Sequence, residues 1–256
     1  MRAWLAGILV IASIAVARAA PGDDLPVIAN VTGRRAHVIV RGEVTKRDEK
    51  KVVALVEQVI HDVERRFTTG THADAPVTLL VFSDPARYRT VAATTGDVPS
   101  DWGFYLPAKR LAIANVGASI GNLRHELVHP LLGDDFPHIP AWLNEGIAAL
   151  YGSAEYGKAG FSFVVNYRLR DLQRALRDDT LPTLAQLASS TYDDVHGPRG
   201  MVYYAFARYT LLYAERRGKL GEIYAAIRAA PDDAGKILAR YVDEHAFRAW
   251  AKSLRY

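Results

Sequence analysis

The chain has 256 residues, half of them apolar, with 32 basic and 28 acidic residues and no cysteine. Its length and apolar content are ample for one sizeable hydrophobic core, and a formal charge of only +4 gives no electrostatic case for nucleic acid or a strongly anionic surface. Without cysteine, disulfides and thiolate sites are excluded, and histidine and carboxylates remain as metal donors.

Residues Met1 to Ala19 read as a secretory signal peptide. Arg2 supplies a positive start, Leu5 to Val16 is an apolar run too short to span a bilayer comfortably, and Ala17-Arg18-Ala19 is a small-x-small cleavage site. An uncleaved N-terminal anchor is the alternative reading of the same run. Removing Arg2 and Arg18 leaves 30 basic against 28 acidic residues. Export without disulfides fits a bacterial periplasm or envelope, so the expected location is periplasmic or secreted, with no stable membrane insertion once the signal is gone.

Val27 to Val31 and Ala36 to Val40 flank Thr32-Gly33-Arg34-Arg35 and predict a hairpin. Thr45 to Phe67 has helical spacing, with Val52, Leu55, Val56, Val59, Ile60 and Val63 on one face. Val77 to Phe82 is a continuous β-branched and aromatic run, read as a buried strand. Asp84-Pro85 opens a short helix through Ala93. Gly103 to Leu106 and Arg110 to Asn115, split by Pro107-Ala108-Lys109, predict a second hairpin or two edge strands.

Gly117 to Asn122 leads into R-H-E-L-V-H-P at 124 to 130. On a helix, His125 and His129 are one turn apart and project from one face, a two-nitrogen claw for zinc. Glu126 would face a water in the open position of such a metal, where a carboxylate can take a proton and return it to a leaving amine. The H-E-x-x-H pattern arises by chance in roughly one chain of this size per hundred. Pro130 should stop or bend the helix. In the loop expected over Gly133 to Pro140, Asp134, Asp135 or His138 could orient a ligand imidazole. A second helical stretch, Pro140 to Gly152, carries Glu145, which would complete three protein ligands beside one open position.

H-E-L-V-H-P at 125 to 130 and P-A-W-L-N-E-G-I-A at 140 to 148 resemble the gluzincin metallopeptidases, most closely the peptidase MA-like group. The resemblance implies an α+β, zincin-like fold, with an α/β lobe over 20–133 bearing a mixed sheet and an edge strand. A mainly helical lobe over 134–256 would face it across a cleft. It further implies Zn²⁺ on His125, His129 and Glu145, with Glu126 as general base. Leu111 to Asn115 occupies the place of the open edge strand that pairs with extended peptide in that family. Thermolysin-like enzymes carry an acidic residue four positions after the glutamate ligand; here it is Ala149, so support for the ligands must come from elsewhere.

From Phe161 onward the pattern is mostly helical, with a break at Leu181-Pro182, a loop at His196 to Gly200 and an aromatic-rich helix over Met201 to Glu215. Two further helices are expected over Leu220 to Ala229 and Ala234 to His245, with Phe247 to Leu254 packing the end. Tyr204-Ala205-Phe206-Ala207-Arg208-Tyr209 resembles the helix from which the family draws an oxyanion donor. Tyr204 is the first choice for that donor, with Tyr203 and His196 in reserve. Arg208, one turn on, is a candidate for a peptide carboxylate or carbonyl, or for an interhelical salt bridge. The expected activity is therefore zinc-dependent hydrolysis of peptide or protein substrates. Two alternatives stand beside it: a non-catalytic, zincin-shaped binding or envelope-assembly module, and a zinc hydrolase of a cell-wall peptide amide.

Overall fold

A computed structural model describes residues 21–67, 75–96 and 100–256; the expected signal peptide lies outside them. The described residues form an α+β unit. Strands β1 (Val27–Thr32), β2 (His37–Glu43), β3 (Val77–Phe82), β4 (Gly103–Leu106) and β5 (Leu111–Asn115) make one mixed sheet in the order β1-β2-β3-β5-β4. β2, β3 and β5 run parallel, and β1 and β4 are antiparallel to their neighbours.

The period-2 alternation of strands divides the sheet's side chains between two cores. Leu79, Val81, Ala112 and Ala114 face a large core shared with α1 (Lys46–Arg66) and α3 (Ile120–Asp135). Leu80, Phe82, Leu111 and Ile113 face a small one closed by Tyr88, Val91 and Ala92 of α2 (Pro85–Ala93). Both faces of β5 are therefore covered, and all five of its residues are buried.

That corrects one expectation. Leu111 to Asn115 is an interior strand, paired with β3 on one side and β4 on the other, and the edges of the sheet are β1 and, next to it, β4. A strand apolar on both faces belongs between neighbours, whereas β4 reads Gly-Phe-Tyr-Leu with three half-buried positions.

Ser119 caps α3 by accepting from Gly121 N–H at 3.1 Å, and the helix runs through Pro130 to Asp135. Of the expected stop or bend at Pro130, the stop is therefore corrected. Proline deletes the N–H that would bond Glu126 C=O, a local cost of about 3 kcal/mol. Leu131 and Leu132 are buried beyond it, and Tyr224 and Arg228 both donate to Asp135 in the last turn. Burial of two leucines at roughly 1.5–3 kcal/mol each is enough to carry the helix past the lost bond.

α4 (Ala141–Gly152) is apolar almost all round and packs between α3 and α8 (Gly200–Glu215). Its end passes α3 so closely that a Cβ on Gly121 would sit 2.2 Å from Gly152 O. Buried Asp62 of α1 accepts from Tyr151 Oη of α4 at 2.7 Å and from Arg66 Nε at 2.8 Å, and Arg66 also pairs with Glu215 of α8. These contacts fix α4 against both the sheet-bearing half and the later helices.

After α4 comes a feature absent from the sequence-based expectations, a two-stranded hairpin of β6 (Ala154–Gly157) and β7 (Gly160–Phe163). α5 (Leu169–Arg177), α6 (Leu184–Ala188), α7 (Tyr192–His196), α8, α9 (Leu220–Ala229), α10 (Ala234–Tyr241) and α11 (Glu244–Ser253) follow. His196 thus ends a short helix rather than lying in a loop. Among the described residues no helix is long and apolar enough to cross a membrane.

Candidate metal centre

α3 places His125 and His129 on one face, with ring centroids 4.9 Å apart. α4 brings Glu145 against them. His125 Nε2 is 3.4 Å from Glu145 Oε2, and His129 Nε2 is 3.8 Å from Glu145 Oε1. A tetrahedral ion with bonds of about 2.0–2.1 Å separates its ligand atoms by about 3.4 Å; the His125–Glu145 pair matches that spacing, and the His129–Glu145 pair, through the other carboxylate oxygen, is wider.

Among the described residues, the group whose ligand atoms all lie within 4.8 Å of one another is His125, Glu126 and His129, without Glu145, so two carboxylates are candidates for the third position. Their surroundings divide them. Glu145 faces both imidazoles, one oxygen toward each. Glu126 instead lies beside the edge strand, where a Cβ on Gly103 would meet Glu126 Cγ at 2.6 Å, Glu126 Oε1 at 2.8 Å and Ile113 O at 2.7 Å. Glu145 thus lies between the imidazoles, and Glu126 lies against the edge strand.

Asn144 Oδ1 lies 3.1 Å from His129 Nδ1. With Nδ1–H donating to that oxygen, Nε2 keeps its lone pair toward Glu145, the tautomer a metal ligand needs. Asn144 thus orients the His129 ring, which Ala149 cannot do. The three residues considered for that role are accounted for differently: Asp134 pairs with Arg110 at 2.5 and 2.9 Å, Asp135 with Tyr224 at 3.0 Å and Arg228 at 3.2 Å, and no hydrogen bond joins His138 to either histidine.

Tyr204, on α8, donates its hydroxyl to Glu145 Oε2 at 2.5 Å and lies 2.8 Å from His125 Nε2. His196 Nε2 is 3.3 Å from Glu145 Oε1, its ring stacked on Tyr192. Tyr203 turns into the core instead. Arg208 is fully buried and donates to Ala149 O at 2.7 Å and Val164 O at 2.5 Å. Neither role considered for it holds, because a side chain sealed between backbone carbonyls can reach neither a substrate nor a partner carboxylate.

The charges follow from burial and from these contacts. Burial pushes Glu126 up to about 8, with Glu145 adding to the shift and His125 opposing it. Burial raises Glu145 too, but the charge of His129 and hydrogen bonds from His125 and His196 outweigh it and hold the carboxyl well below its ordinary value. Burial and the adjoining Glu145 raise Tyr204, which stays a neutral donor. The surroundings thus favour the ionised form of the carboxyl between the imidazoles and the protonated form of the other.

Gly103 links the edge strand to this chemistry. A Gly103→Ala variant should displace Glu126 and press on Ile113 O of β5, giving a lower melting temperature than the parent protein. Thermal melting of the two proteins checks it.

No protein-family model matches the chain, and no curated protein matches it in a sequence comparison.

Proposed function

We propose that this protein is a zinc-dependent peptidase in which His125, His129 and Glu145 hold the ion and Glu126 is the general base. The observation that carries the reading is the division of the two carboxylates, Glu145 between the imidazoles and Glu126 against the edge strand. A bound Zn²⁺ supplies Lewis-acid polarisation of a carbonyl and brings the pKa of water to about 7.

The chain's own residues do the rest. Glu126 takes the proton from water and passes it to the leaving amine, a role worth about 10²–10⁴ in rate. Tyr204 keeps its proton and, turning its single O–H away from Glu145, would donate it to the oxygen that gains charge. Beyond Gly103, whose N–H and C=O are taken by Ser100 Oγ, the outer edge of β4 would offer backbone donors and acceptors to an extended peptide. Trp102, 60% exposed, precedes that strand, and Tyr167 and Tyr192, 50% and 67% exposed, lie against Arg168 and His196. These rings give apolar side chains of a peptide a surface to rest on. The expected partner is a peptide or protein substrate met outside the cytoplasm, a location that rests on Met1 to Ala19.

The test is purified protein incubated with a mixed octapeptide library and read by mass spectrometry. Zinc near one per chain, with cleavage lost on chelation and restored by zinc, is the expected result. Bound zinc with no cleavage would instead support the binding module.

A further inference from the structure

Arg168 caps the start of α5, its backbone N–H donating to Asn166 Oδ1 at 3.2 Å. Its guanidinium carbon lies 4.2 Å from the Tyr204 ring centroid and 5.3 Å from that of Tyr167. The Tyr204 hydroxyl in turn touches His125 and Glu145. Because the phenol is rigid, the guanidinium lies within roughly 7 Å of that hydroxyl, the span of two extended residues.

Of the other partly buried arginines, Arg66, Arg87, Arg110, Arg228 and Arg248 pair with carboxylates, Arg41 and Arg124 donate to backbone carbonyls, and Arg35 Nη1 is buried without a partner. Fully buried Arg208 donates to carbonyls. Among the described residues, the Arg168 guanidinium has two ring faces and neither a carboxylate nor a carbonyl. Stacking leaves the edge of a guanidinium free, and that edge carries the fork of N–H donors that matches a carboxylate in two parallel hydrogen bonds. Arg168 is half-buried, so water is partly excluded while the group stays reachable. A fixed cation in that setting attracts an anion more strongly than one on open surface.

We infer that Arg168 binds a substrate carboxylate located within two residues of the bond that is cut. The inference rests on the peptidase reading, since a peptide's anions are its terminal α-carboxylate and the side chains of Asp and Glu. It replaces Arg208, which is sealed in the interior, as the residue that sorts substrates by charge.

Binding to zinc-loaded Glu126→Gln protein tests this without turnover. Four N-acetylated tetrapeptide mixtures serve as probes: neutral residues with a free C-terminus, the same amidated, an amidated mixture carrying one Glu, and its Gln counterpart. At least one carboxylate form should bind roughly 10- to 100-fold more tightly than its neutral counterpart. Adding Arg168→Met should erase that preference while leaving neutral-peptide affinity and zinc content unchanged. Preference for the free C-terminus would identify the terminal carboxylate, and preference for Glu over Gln a side chain. Equal binding of charged and neutral forms, a preference that survives Arg168→Met, or no binding of any mixture would overturn the inference. An equal loss for all four on substitution would do so too, because it would mean that Arg168 only steadies Tyr204. Failure of the peptidase reading shows separately, as a wild-type zinc protein that cuts none of the peptides whatever their binding pattern.

Discussion

Glu126→Gln protein should keep its zinc, keep its circular dichroism spectrum and cut peptides about 10³-fold more slowly than wild type. Glutamine has the size of glutamate but no basic oxygen, so the substitution removes proton transfer while the His125, His129 and Glu145 contacts remain. Stability provides a second readout. In the metal-free protein Glu126 is buried and pushed up to about 8 from an ordinary 4.5. The folded state then holds the proton more tightly than the unfolded state, so the contribution is full below about pH 4.5 and is lost as pH rises through about 8. Glutamine has no charged form to penalise, so metal-free Glu126→Gln should be the more stable protein at pH 8, by about 2–4 kcal/mol. Equal cleavage rates for the two proteins would remove Glu126 from the mechanism.

Much of this arrangement is legible in the sequence wherever local spacing decides it. The His125/His129 pair needs only the pitch of a helix, and the stripe from Val52 to Val63 needs only its period. Val77 to Phe82 declares itself by unbroken apolar content. Errors arise where a distant neighbour decides. Edge or interior for Leu111 to Asn115 depends on which strand β3 accepts, although the apolar character of both faces is a usable sign. Pro130 follows the local rule until Leu131, Leu132 and the Asp135 contacts outweigh it. Thr191 and Asp194 form a capping box, a readable signal that places His196 at the end of a short helix. Asn144 gives no sign of its own, since its role exists only through the crossing of α3 and α4. Nor can spacing tell Arg208, buried between carbonyls, from Arg168, stacked on Tyr204.

Removing zinc should lower the melting temperature without unfolding the protein. The metal-free cluster already satisfies itself, because Glu145 accepts from Tyr204 and lies close to His125, His129 and His196, so the ligands stay in place when the ion leaves. What is lost is the binding contribution, about 4 kcal/mol with free zinc a thousandfold above its dissociation constant. For a chain of this size that corresponds to roughly 8–16 °C. A graded pair of variants ties the shift to named atoms. Asn144→Ala frees the His129 ring to rotate and should weaken zinc binding roughly 10- to 100-fold, reducing the shift while preserving it at saturating metal. Glu145→Ala should abolish it at every zinc concentration tried, since both imidazoles lose the carboxylate between them. Its metal-free melting point should also fall, because the Tyr204 hydroxyl loses the carboxylate it donates to and the two imidazoles lose the anion between them. A Glu145→Ala protein whose melting still rose with zinc would show that the ion sits on His125, His129 and Glu126 instead. The carboxylate beside Gly103 would then be a ligand, and the proton would have to move by another group.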